Sequence, residues 1–180
     1  MPIRPVTRAE LGASWHAGCP VSSEDLRAVS ISYLGFDGRT HRGTLVVAAS
    51  VAESVVRVFG SLRESGYPIR RMQPSAAYGG SDEKSMLADN TSAFNCRPIT
   101  GGGGWSKHAY GKAIDVNPFE NPYIKGNLVD PESARKYADR DQRVRGMIHA
   151  ADAVVNAFAA RGWSWGGSWT SPTDYQHFER

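Results

Sequence analysis

The sequence predicts one α+β domain over residues 1–180, with a central antiparallel sheet flanked by helices. Three observations carry this. A length of 180 residues suits one domain better than two, and 41% hydrophobic with 22% charged residues is ordinary globular composition. Alternating apolar patterns mark strands near both ends of the chain. Two helical stripes are interleaved with those strands, which argues against a purely helical or purely β fold.

In chain order, residues 1–27 read as an N-terminal extension packed on the domain. "AVSISYLGFDGRTHRGTLVV" reads as two strands joined at Asp37-Gly38, a favourable hairpin turn. "SVAESVVRVFGSLRESG" reads as a helix. Ser50 and Glu53 fit a capping box, Val51, Val55, Phe59 and Leu62 form the apolar stripe, and Gly66 supplies the stop. "YPIRRMQPSAAY" reads as a strand interrupted at Pro74. Residues 79–98 are polar and read as a long surface loop with one helical turn. With the glycine-rich "TGGGGW" they make a loop over 79–105 that borders the functional site. Residues 141–161 read as the second helix, with Val144, Ile148, Ala151, Val155 and Phe158 on one side. "WSWGG" and "YQHFE" read as two final strands.

The net charge of +3 comes from scattered Lys and Arg, with no run that suggests a nucleic-acid arm. No stretch approaches the length of an apolar membrane span. "MPIRPVTRAELGASW" lacks the apolar region of a secretory signal. Cys19 and Cys96 are the two cysteines. They leave two alternatives open, one disulfide or two buried reduced thiols.

Two short motifs carry chemistry. In "KAIDVN", strand alternation sends Ile114 and Val116 to one face, and Ala113, Asp115 and Asn117 to the other. A small, acidic and polar face suits a site better than a core. Gly111 permits a sharp turn that folds His108 back over Asp115. In "YQHFE", Tyr175, His177 and Glu179 share one face. His108, Asp115 and His177 would form a zinc site with an open position, and Asp174 would be the general base. Strand alternation sets Asp174 opposite His177, so a turn or bulge must separate them, and "SPTD" favours one. Spacing alone favours ordinary surface or core histidines; the two pairs together, in glycine- and aromatic-rich stretches, leave both readings open. His16, His41 and His149 have no acidic companion at telling spacing and read as structural.

"SKHAYGKAID" matches S-x-H-x-x-G-x-A-x-D, and "DYQHFE" matches D-x-x-H-F. Together they resemble the zinc peptidases of peptidoglycan, the VanY-like D-alanyl-D-alanine carboxypeptidase and L-alanyl-D-glutamate endopeptidase family. "GCPV", "GFDG", "NTSAFNCRP", "NPY" and "WGGSW" are similar to one branch of it, so the resemblance covers most of the chain. It implies a fold like that of Hedgehog and the DD-peptidases, acting as a monomer on the peptidoglycan stem peptide. It further implies one zinc (Zn2+) per chain on His108, Asp115 and His177, Asp174 as base, and Ser106 beside the substrate. Aspartate at the base position is similar to the endopeptidase branch, whereas carboxypeptidases usually carry glutamate there. The wall would be reached by secretion or by release from a phage-infected cell. A non-catalytic module that binds metal or wall is the reading from another class.

The chain departs from the family at "AAYGG", where Gly79 follows Tyr78 in place of a substrate-holding arginine. Arg97 in "NCRP" is the candidate substitute for binding substrate or its oxyanion. A solvent-exposed loop arginine is the alternative. Trp169 is the candidate groove-lining tryptophan, with core packing expected for at least two of Trp163, Trp165 and Trp169. If Cys19 and Cys96 are bridged, the bridge fixes the loop that presents Arg97.

Overall fold

The architecture comes from a computed structural model that describes residues 2–99 and 102–180; Thr100 and Gly101, at the head of the glycine-rich stretch, lie outside the described residues. The chain opens with β1 (Ile3–Pro5) and the one-turn α1 (Arg8–Leu11). The predicted hairpin follows as β2 (Leu26–Gly35) and β3 (Thr40–Ala48), paired antiparallel from Leu26↔Ala48 to Leu34↔Thr40. β1 pairs antiparallel with the start of β2, and β4 (Pro68–Ile69) pairs parallel with its end.

Both faces of this sheet are covered. Val29, Ile31, Tyr33, Leu45 and Val47 pack on α2 (Ala52–Glu64), whose Val55, Phe59 and Leu62 are buried as the stripe predicts. Each such side chain stabilises by about 1.5–3 kcal/mol when removed from water. On the other face, Leu26, Ala28 and Val46 meet Val6, Leu11, Phe94 and Cys96. This second core holds the segment leading to the site.

The predicted capping box does not form. A 3-10 turn over Ala49–Val51 precedes the helix, so Ser50 lies inside that turn and the N-cap position falls to Val51. The C-terminal signal holds: Gly66 is left-handed, and the Tyr67 N–H returns to the Leu62 carbonyl.

Beyond α2 the strands are short. β5 (Arg71–Met72) pairs parallel with β6 (Asn90–Thr91), and α3 (Asp82–Leu87) lies between them. β7 (Ala113–Asp115), β8 (Tyr123–Lys125), β9 (Leu128–Asp130), α4 (Ala153–Ala159), β10 (Ser164–Trp165), β11 (Thr173–Asp174) and β12 (His177–Glu179) complete the chain. β10-β12-β7 and β11-β8-β9 are separate three-stranded antiparallel sheets. The domain is therefore mixed α/β with several small sheets rather than one central antiparallel sheet. Left-handed Asp89 immediately precedes β6, and left-handed Asn117 lies two residues beyond β7.

Two other expectations are corrected. Residues 79–98 do contain the helical turn, but Asn90 to Cys96 are buried, not surface. Their polar side chains have partners, as when Asn90 binds the Gln73 carbonyl and Ser85 Oγ, both at 3.0 Å. The helix predicted for 141–161 shrinks to α4. Gly146 and Ala151 have positive φ, and Asp152 caps the helix by accepting from Val155 N–H at 2.9 Å. Val144, expected in the stripe, is exposed. The cysteine alternatives resolve as a disulfide: Cys19 and Cys96 are bridged, with Cα atoms 5.8 Å apart.

Candidate metal centre

The site grows from one cross-strand pair. β12 lies beside β7 with His177 directly opposite Asp115 and Glu179 opposite Ala113. Alternation works as predicted: Ile114 and Val116 enter the core while Asp115 takes the other face. Main-chain bonds between Ser92 and Asp115, 3.0 and 2.9 Å, extend this sheet by one bridge.

His108 comes from a 3-10 turn, Lys107–Tyr110. Ser106 caps that turn by accepting from the His108 N–H at 3.3 Å. Gly111 ends it in the left-handed region, and a Cβ there would stand 2.5 Å from the Ala48 nitrogen. The turn therefore requires glycine both for its φ and for its close approach to β3.

These elements bring His108, Asp115 and His177 together, all buried, with ligand atoms within 4.8 Å of one another. His108 Nε2 is 3.0 Å from Asp115 Oδ2, and His177 Nδ1 is 3.1 Å from Asp115 Oδ1. His108 Nδ1 donates to the Ala93 carbonyl at 2.6 Å, which leaves the Nε2 lone pair facing inward. That buried Nε2 lies at ion-pair distance from Asp115 but has no aligned hydrogen bond. Burial opposes ionisation of Asp115, yet His108 and His177 outweigh it and hold its pKa below the carboxylate range. Burial likewise opposes charge on His177, but Asp115 and Glu179 raise its pKa to about 10. The pocket thus favours positive charge between two nitrogens and a carboxylate, the donor set that suits a divalent cation.

Asp174 stands at the edge of this group. It ends β11, opposite Tyr123 on β8, and the Tyr175-Gln176 turn separates it from β12. That turn removes the alternation problem, since Asp174 and His177 occupy different sheets. A Cβ on Gly166 would meet the Cβ atoms of Asp174 and His177 at 3.1 and 3.3 Å, so the two side chains start close together. Asp174 Oδ1 is buried without a partner. Burial raises its pKa to about 7, against the pull of His177 and with Asp115 adding to the rise.

Arg97 is partly buried and bonded through Nη2 to Asp82 Oδ2 at 3.0 Å, and so is not a free surface arginine. Its charge is felt at Asp174. Trp169 is exposed, its ring 5.4 Å from that of His177. Trp163 and Trp165 are core residues, as expected for two of the three tryptophans. His41 does have an acidic companion: Asp37, across the hairpin turn, lies 2.9 Å away, and the pair is exposed. Sequence reasoning missed the Ala93 carbonyl, which carries no side-chain signal. It also gave no role to Asp82, or to Glu179, which shares a strand face with His177.

Residues 100–180 match the model of a family described as D-alanyl-D-alanine carboxypeptidase. Over these residues the match supports the VanY-like peptidase family. No curated protein and no solved structure matches the chain. The VanY-like segment contains β7 through β12, and with them His108, Asp115, Asp174 and His177, whereas Arg97 precedes it. The match indicates a metallopeptidase, a hydrolase of the cell-wall peptidase type, and peptidoglycan is a substrate that fits the family. Among the described residues no helix is long and apolar enough to cross a membrane.

Proposed function

We propose that this VanY-like protein hydrolyses peptide bonds in the stem peptides of bacterial peptidoglycan with one zinc ion per chain, and that it cuts between L-Ala and D-Glu. The observation that carries the reading is the convergence of buried His108, Asp115 and His177 beside an unpaired carboxyl whose pKa is near neutrality, Asp174. His108 through Nε2, His177 through Nδ1 and Asp115 would hold the ion, which when bound polarises a carbonyl and activates water at neutral pH.

Asp174 takes a proton from the attacking water and returns it to the leaving amine, so that hydroxyl joins the acyl carbon and hydrogen joins the nitrogen. Its raised pKa suits both roles near pH 7. Arg97, steadied by Asp82, serves the substrate carboxylate or the developing oxyanion. Ser106 acts beside the substrate and through the turn it caps, and Trp169 offers an exposed ring at the mouth. The single domain works at the wall, with the 90–97 run beside the site.

Aspartate rather than glutamate at position 174 supports endopeptidase cleavage. The family description supports a second reading on the same scaffold, removal of terminal D-Ala. Metal analysis with mass spectrometry of a peptidoglycan digest separates them. New L-Ala C-termini and D-Glu N-termini are expected; loss of one D-Ala per stem would replace the first reading with the second. A zinc-loaded protein that leaves stem peptides intact would defeat both.

A further inference from the structure

The two histidines of the centre are anchored by different kinds of group. His108 gives its Nδ1 proton to the main-chain oxygen of Ala93 at 2.6 Å. His177 places Nε2 3.0 Å from the carboxylate oxygen Oε2 of Glu179. From this geometry we infer that Glu179 is a positioning residue of the metal centre. With the ion bound, it would accept the Nε2 proton of His177 and fix the tautomer whose Nδ1 lone pair is free to ligate. The inference rests on the metal-centre reading above.

A neutral imidazole carries one N–H, and each ring nitrogen of His177 faces a carboxylate. If Asp115 held the proton, on Nδ1, that nitrogen could not ligate. The Glu179 bond draws the proton to the far side, and it is the sole hydrogen bond of Nε2 among the described residues. The strand geometry makes the bond ready-built. His177 and Glu179 are two apart on β12 and share a face. Opposite Glu179 stands Ala113, fully buried and too small to reach the imidazole edge. A carboxylate behind a ligating imidazole also raises its basicity, and such partners commonly govern metal affinity.

The test is zinc affinity by chelator competition on the full chain, with melting temperatures of the metal-free forms. The parent should bind one zinc per chain. Glu179→Ala should bind ~10–100-fold more weakly. Glu179→Gln should recover part of the loss, because its amide oxygen accepts the same proton without the charge. Unchanged affinity in Glu179→Ala overturns the inference. So does an equal loss in both variants matched by equal loss of metal-free stability, since that marks a packing role. A parent that binds no zinc fails at the earlier step and overturns the metal centre itself.

Discussion

At the scale of single residues, Asp174 concentrates the most chemistry. Its carboxyl is buried, lacks a hydrogen bond on Oδ1, and ionises near pH 7 instead of in the usual carboxylate range. The base form is therefore lost as pH falls through about 7, and kcat/KM should decline on the acid side of that value. Asp174→Asn should keep its zinc and lose roughly 10²–10⁴-fold in rate. The same raised pKa has a stability consequence of opposite sense. Between the unfolded and folded pKa values the native state binds more protons, so this group's contribution to stability falls as pH rises. Metal-free Asp174→Asn should thus melt higher than metal-free parent at pH 8, even though it is inactive. A variant that hydrolyses stem peptides at the parent rate would remove Asp174 from the mechanism.

At the scale of elements, the hairpin, the α2 stripe and the "KAIDVN" strand were legible because each is a local pattern with one dominant period. Ile114 and Val116 face the core for the reason alternation gives. The 141–161 segment misled because its apolar spacing is helical, while Gly146 and Ala151 adopt positive φ and Asn121 takes the Ile148 N–H at 2.7 Å. Tertiary hydrogen bonds there override periodicity. The buried Asn90–Cys96 run was illegible for a related reason, since its polar side chains are satisfied by groups distant in sequence. Of the site, both motifs could be read directly, whereas the Asp82–Arg97 pair depends on loop packing that no spacing encodes. Gly111 is the element-level test. Alanine there would combine left-handed strain with a collision against the Ala48 nitrogen. Gly111→Ala should cost roughly 2–4 kcal/mol, measured by denaturant unfolding. A cost below ~0.5 kcal/mol would mean that the turn relaxes freely.

At the scale of the whole molecule, the Cys19–Cys96 bridge ties the N-terminal segment to the strip that presents Ala93 and Arg97. It closes a sequence separation of 77 residues. Replacing both cysteines by serine should lower stability by about 2–4 kcal/mol and lower kcat/KM through loosening of Arg97. Equal stability and activity in the double variant would show that the second core alone holds the strip. The same connections bear on any attempt to graft this protein into chimeric lysins. The family match begins at residue 100, but the oxygen that aims His108, the bridge partner of Asp115 on its other side and much of the core that Ile114 joins come from earlier residues. A cassette cut at that border would carry the signature residues without their scaffolding, so the transferable unit must include the first half of the chain.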